Sequence, residues 1–393
     1  MSKKPLVILP GIFLTLSIVL ELAANLLEDF AVFFTDNIFL YITLPLSFIS
    51  SVFPFSVGEC LLYLLAIIVL IFIPVLLISK LNHKRYFIVY LNFLWCIIGV
   101  YSLIMVLNCF ILYQTPAMQA IKTVSAEDTE LLIELRDKIV LRANELSTTI
   151  SPQTDKAYLE ETAINSLHKL AAEVCSGQET YDEDSLSKDS HPMDIRSKYS
   201  LQNTFHRLAG YYPHYKTFNN PAFFSQQYIM GYYFPFSMEA NVNGIMYHTN
   251  FPHTICHEYA HLKGFIREDE ANFVAFLACM NSEDEYFEYS ALLSVITYLD
   301  NDFYSAIEKD NNIYMSHPQI SDQVINDDIF LTKEAWNWVN DHSFLNTETV
   351  RKASNSFTNT ILTSNGVSDG MKSYSRVVGL LLDYYKNNPD FLN

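Results

Sequence analysis

The 393-residue sequence contains no CxxC pair, no glycine-rich phosphate loop, no internal repeat and no excess of basic residues. Each absence narrows the field. The six cysteines fall three and three, with Cys60, Cys96 and Cys109 in apolar stretches and Cys175, Cys256 and Cys279 in the acidic remainder. An odd number in each part does not make a disulfide framework, so buried free thiols are expected, with one bridge among the last three left open. Without a phosphate loop there is no local signature for nucleotide binding. A formal net charge of −18 gives no electrostatic case for binding nucleic acid or an anionic lipid surface.

What is present is a chain of two textures. Half of it is hydrophobic, too apolar for an ordinary acidic soluble protein, so apolar and acidic residues must lie in different segments. Of the 43 acids and 25 bases, five of each lie in residues 1–112, leaving 38 acids and 20 bases in residues 113–393. The chain therefore reads as a membrane region, 1–113, followed by a domain over 114–393 long enough for a full core.

A membrane span needs about 20 apolar residues. Three stretches qualify, at 5–27, 57–78 and 86–112. Between the first two, residues 28–56 are apolar but broken by Asp36, Asn37, Pro45 and Pro54. This piece reads as interfacial or re-entrant, with a fourth span as the alternative. Lys3 and Lys4 precede the first span and Lys80, Lys84 and Arg85 fill the loop between the second and third, whereas 28–56 carries no base. Basic loops stay in the cytoplasm, so three spans place 113–393 outside it, in a multi-pass cell-membrane protein. A fourth span inverts that. The first span has features of a signal peptide, but Ala23-Ala24 is a poor cleavage site. Glu21 and Glu59 sit near span ends, where a carboxylate can reach water.

In the acidic part the spacing predicts helices over 125–146, opened by a Ser125/Asp128 capping box, and over 155–174. Residues 176–195 are polar and read as an exposed loop. Aromatics crowd 211–236 and are expected to pack in core and loops. Residues 238–244 carry a short strand-and-turn signal. Helices are also expected over 289–299 and 373–385, with a turn at Asn365-Gly366. The fold class is mainly α with a small β-sheet, α+β.

Chemistry is concentrated in His257-Glu258-Tyr259-Ala260-His261. Pro252 and Gly264 bracket a helix of about three turns, with Asn250 as its expected N-cap. On it His257 and His261 leave the same face one turn apart. Two neutral imidazoles so spaced can grip one metal ion, with Glu258 beside them to act on water. Ile255, Tyr259 and Leu262 form the neighbouring stripe that anchors the helix. Residues 268–280 read as a second helix returning against the first.

HExxH followed by ExxA(D/N), here Glu268, Ala271 and Asn272, resembles the gluzincin metallopeptidases. The resemblance implies a zincin-like domain, a Zn2+ cofactor and a peptide or protein substrate, with His257, His261 and Glu268 as metal ligands and Glu258 as catalytic base. Asn272 would support a histidine by a hydrogen bond. The interval from His261 to Glu268 is short for that class, and Asn272 stands where many relatives carry Asp, so Glu270 remains an alternative ligand. A metzincin would need a third histidine at 267, which is Arg267. More broadly, the chain resembles a family of uncharacterised bacterial multi-pass membrane proteins, through residues 235–241, the HExxH region, Asn365-Gly366 and 369–374.

The expected function is metal-assisted peptide hydrolysis, Glu258 taking a proton from water and returning it to the leaving amine. The alternative is a non-catalytic membrane sensor or binding protein that keeps the peptidase fold. His317, Tyr374 and Arg376 are candidate oxyanion donors. The strand around Ala240-Asn241-Val242 could pair with an extended peptide. Residues 245–270 carry too many charged and polar groups to lie in lipid, so the site is expected to be aqueous.

Overall fold

The computed structural model describes residues 5–80, 84–118, 129–176, 204–365, 367, 376–389, 391 and 392. The Ser125/Asp128 capping box, the loop over 177–195, Gly366, Asp369–Ser373 and Tyr374 lie outside the described residues, as does the Cys175 side chain. The fold is mostly helical with one small mixed sheet.

The chain divides into two compact units, Met1–Pro116 with Tyr233–Glu239, and Ala117–Tyr232 with Ala240–Asn393. Residues 233–239 lie in the acidic part of the sequence but group with the first unit. In the first unit, α1 (Pro5–Leu26), α4 (Val57–Lys80) and α5 (Lys84–Met105) are the long apolar helices, and α1 and α4 both pack on α5. Among the described residues three segments are long and apolar enough to cross a membrane, Ile8–Leu26, Val57–Leu77 and Phe87–Tyr113. Large aliphatic side chains such as Ile67, Leu70 and Ile73 are exposed along α4. Such a surface is tolerable only in lipid, which points to membrane association.

Between α1 and α4, helices α2 (Glu28–Asn37) and α3 (Phe39–Ser51) meet at a bend of 43°, the geometry of a broken span or a re-entrant loop. Helix α5 runs into a π-helical turn, Val106–Phe110. There the buried Asn108 donates through Nδ2 to the Pro235 carbonyl at 2.7 Å and accepts at its own carbonyl from the Tyr233 hydroxyl at 3.0 Å. Glu239, also buried, accepts from the backbone N–H groups of Val57 and Gly58 and from the Ser237 hydroxyl. A carboxylate at the first turn of α4 satisfies donors that the helix cannot satisfy itself. These bonds explain why residues 233–239 belong with the apolar helices.

In the second unit, α6 (Thr129–Leu146) and α7 (Lys156–Ser176) are followed by strands β1 (Lys216–Thr217), β2 (Gly231–Phe234) and β3 (Glu239–Val242), the last two crossing between units. The sheet order is β1-β3-β2. Strand β1 runs parallel to β3, Lys216 opposite Asn241 and Thr217 opposite Val242. Strand β3 is thus central, with both edges occupied, so Ala240-Asn241-Val242 cannot pair with a peptide substrate. The core is helical. Helix α8 (Phe251–Leu262) packs on α9 (Glu268–Met280), and both pack on α10 (Glu285–Ala306) and α7. Ile255, Tyr259 and Leu262 are buried, as the stripe along α8 requires. At the chain's end α11 (Val377–Asn387) lies against α9.

Candidate metal centre

Helix α8 opens with Pro252 in its first turn, where a missing N–H costs nothing. Asn250 does not cap it by a side-chain bond. Its Nδ2 donates instead to the carbonyls of Tyr247 and Ile329 and ties the entry loop down. The helix stops at Gly264, whose φ of 88° suits glycine. The chain then turns through Phe265 and Ile266, both buried, and α9 begins at Glu268. This short, tightly packed connection is what brings Glu268 to the two histidines despite the small interval between them.

The Oε2 atom of Glu268 lies 3.1 Å from Nε2 of His257 and 3.6 Å from Nε2 of His261. One ligand atom from each of the three residues lies within 4.8 Å of the others. Ligand atoms about 2.0–2.2 Å from a tetrahedral ion stand roughly 3.3–3.6 Å apart. The two Glu268 contacts, at 3.1 and 3.6 Å, are near that spacing, so the three groups could share one small divalent cation. Two imidazole nitrogens and a carboxylate oxygen suit zinc in particular. His261 Nδ1 lies 2.7 Å from the Phe265 carbonyl, which fixes Nδ1 as the protonated nitrogen and turns Nε2 towards Glu268. The rings of His257 and His261 stand nearly perpendicular, their centroids 4.5 Å apart.

Asn272 lies near His257, whose pKa is lowered overall by burial and by His261. The contact falls short of a full hydrogen bond, and among the described residues His257 Nδ1 is buried without a partner. One turn before His257, the half-buried His253 adds a further ring 6.2 Å away, its Nε2 directed at the Asn272 carbonyl at 3.4 Å. His253 lies outside the HExxH motif, but its spacing of four from His257 continues the same stripe.

The electrostatics separate the roles. Burial raises the Glu268 pKa, but His261 and His257 outweigh it and hold the carboxylate well below its ordinary range. Burial works to lower that of His261, yet Glu268 and Glu258 hold it up at about 9. His257 is lowered by burial and by His261. Glu258 is pushed up to about 8, chiefly by burial. It is 3% exposed, and among the described residues its Oε2 has no hydrogen-bond partner. An orphaned, buried carboxylate beside three convergent donors is poised to hold a proton.

The remaining candidates lie elsewhere. Glu270 faces away from the histidines, accepting from the Met118 N–H at 2.9 Å with Arg267 beside it, so of the two carboxylates only Glu268 joins the cluster. His317 is bonded to Asp137 next to the buried Arg136, which also pairs with Asp300. Arg376 pairs with Asp269 at 3.1 Å. Cys256 and Cys279 are buried free thiols with sulfurs 3.7 Å apart.

No curated protein and no solved structure matches this chain. Residues 34–382 match a family described as a protein of unknown function, DUF3810. That match takes in most of the apolar helices together with the whole of the histidine–glutamate cluster, and the chain belongs to this family.

Proposed function

We propose that this chain is a membrane-anchored, zinc-dependent peptidase of gluzincin type, in which His257, His261 and Glu268 hold the ion and Glu258 is the general base. The observation that carries the reading is the convergence of three ligand atoms within 4.8 Å, beside a buried carboxylate that is not one of them. When bound, zinc supplies Lewis acidity, polarising the scissile carbonyl and favouring ionisation of water.

The chain's own residues supply the rest. The Phe265 carbonyl holds the His261 ring in the tautomer that presents Nε2. Glu258, in its ionised form, accepts a proton from the attacking water and releases it to the departing amine. The core side chains of α8 keep the base and the two imidazoles in register. The lysine and arginine placement supports a domain outside the cytoplasm, which reporter fusions at the C-terminus would test.

The experiment compares the full-length protein with Glu258→Gln. Zinc retained in both and casein cleavage lost in the variant supports the peptidase reading. Zinc retained with no cleavage by the parent on any peptide offered favours a binding or sensing role for the same site.

A further inference from the structure

We infer that Gly231 is a positioning residue for Glu258, a role that rests on the peptidase reading above. Gly231 is the first residue of β2. A Cβ built on it would lie 2.4 Å from Oε1, 2.7 Å from Cγ and 2.8 Å from Cδ of Glu258. The end of the glutamate side chain therefore occupies the space that any other residue at 231 would fill, and the carboxylate rests on bare strand backbone.

Glycine is not here for its backbone freedom. Among the described residues the glycines with positive φ are Gly210 and Gly264, and Gly231 is in ordinary strand conformation. A strand position of that kind favours a β-branched or aromatic residue, and glycine within a strand marks a close approach by another group. That group is Glu258.

The contact matters because little else defines where the carboxylate lies. Among the described residues, Glu258 Oε2 has no hydrogen-bond partner. A methyl group at 231 would push the flexible end of Glu258 away by on the order of 1 Å, and a shift of that size in a reacting group costs about 100-fold in rate. Because the atoms that must move are the far end of one side chain, the fold and the three metal ligands keep their places.

A double-mutant cycle read on the bound metal tests this directly. Full-length parent, Gly231→Ala, Glu258→Gln and the double variant are loaded with Co2+, whose visible absorption responds to ionisation of groups beside the ion. The expected result is equal cobalt content in all four, with the pH midpoint of the parent spectrum displaced by about 0.5 unit or more in Gly231→Ala. In the Glu258→Gln background the alanine should add no further displacement. An unchanged midpoint in Gly231→Ala, or an equal displacement in both backgrounds, overturns the positioning role and leaves the metal site standing. A parent that binds no cobalt removes the metal site, and the positioning role with it.

Discussion

The Nδ1 atom of His261 lies 2.7 Å from the carbonyl oxygen of Phe265, four residues further along the chain. That carbonyl is delivered by the turn at Gly264, whose φ of 88° a residue with a side chain adopts only under strain. The glycine that ends the helix therefore also orients a histidine.

Gly264→Ala is expected to destabilise the domain by about 1 kcal/mol through backbone strain. It should also weaken zinc binding roughly 10-fold by shifting the outer partner of His261. Thermal unfolding and competitive zinc titration read the two effects separately. Unchanged affinity at reduced stability would show that the Phe265 bond does not orient the ring.

Glu268 and Glu270 are two residues apart on α9, yet only Glu268 meets the histidines, at 3.1 and 3.6 Å. Glu268→Gln is expected to lower zinc affinity by at least about 100-fold, since it replaces an anionic ligand by a neutral one. Glu270→Gln should leave zinc content intact and affect stability alone, because its partners are Met118 and Arg267. The reverse pattern in metal analysis would exchange their roles.

A zinc ion entering this cluster would compete with protons for His261. Its pKa is held at about 9 by Glu268 and Glu258 against the effect of burial, so in the pair as it stands the ring is protonated below that pH. A metal ligand must be neutral imidazole, so a cation entering at pH 7 displaces about one proton. Apparent affinity should rise by about tenfold per pH unit from 6 towards 9 and then level off. Glu268, held well below its ordinary range, stays ionised throughout and adds no slope. Calorimetry in two buffers of different ionisation enthalpy measures the proton count. An affinity constant across that range would contradict the ion pair.

Glu239 is 1% exposed and accepts from the N–H groups of Val57 and Gly58 at 3.2 and 2.6 Å. Glu239→Ala leaves those donors buried and unpaired and should cost about 2 kcal/mol. Ser237→Ala, which removes only a hydroxyl donor to the same carboxylate, should cost less than half of that. Denaturation of the full-length protein in detergent compares them, and equal effects would mean that the first turn of α4 finds other acceptors.

Much of the site is legible in the sequence because it is local. A spacing of four residues puts His257 and His261 on one helix face, and the Gly264 stop followed by Glu268 announces a tight return. The apolar runs of α1, α4 and α5 are legible for the same reason, composition over one segment being enough. What is hidden is long-range. Nothing near Gly231 in the chain says that its missing side chain is replaced by a carboxylate 27 positions later. The central place of β3 is equally invisible, because a strand signal carries no information about its neighbours. Pro235 and Glu239 look like ordinary turn and strand residues until Asn108 and the start of α4 are set beside them.

The most direct test is the metal content of the purified full-length protein beside that of His261→Ala. Close to one zinc per chain in the parent, lost in the variant without loss of the helical fold, is the predicted result. No zinc in the parent, or the same content in both, would contradict it.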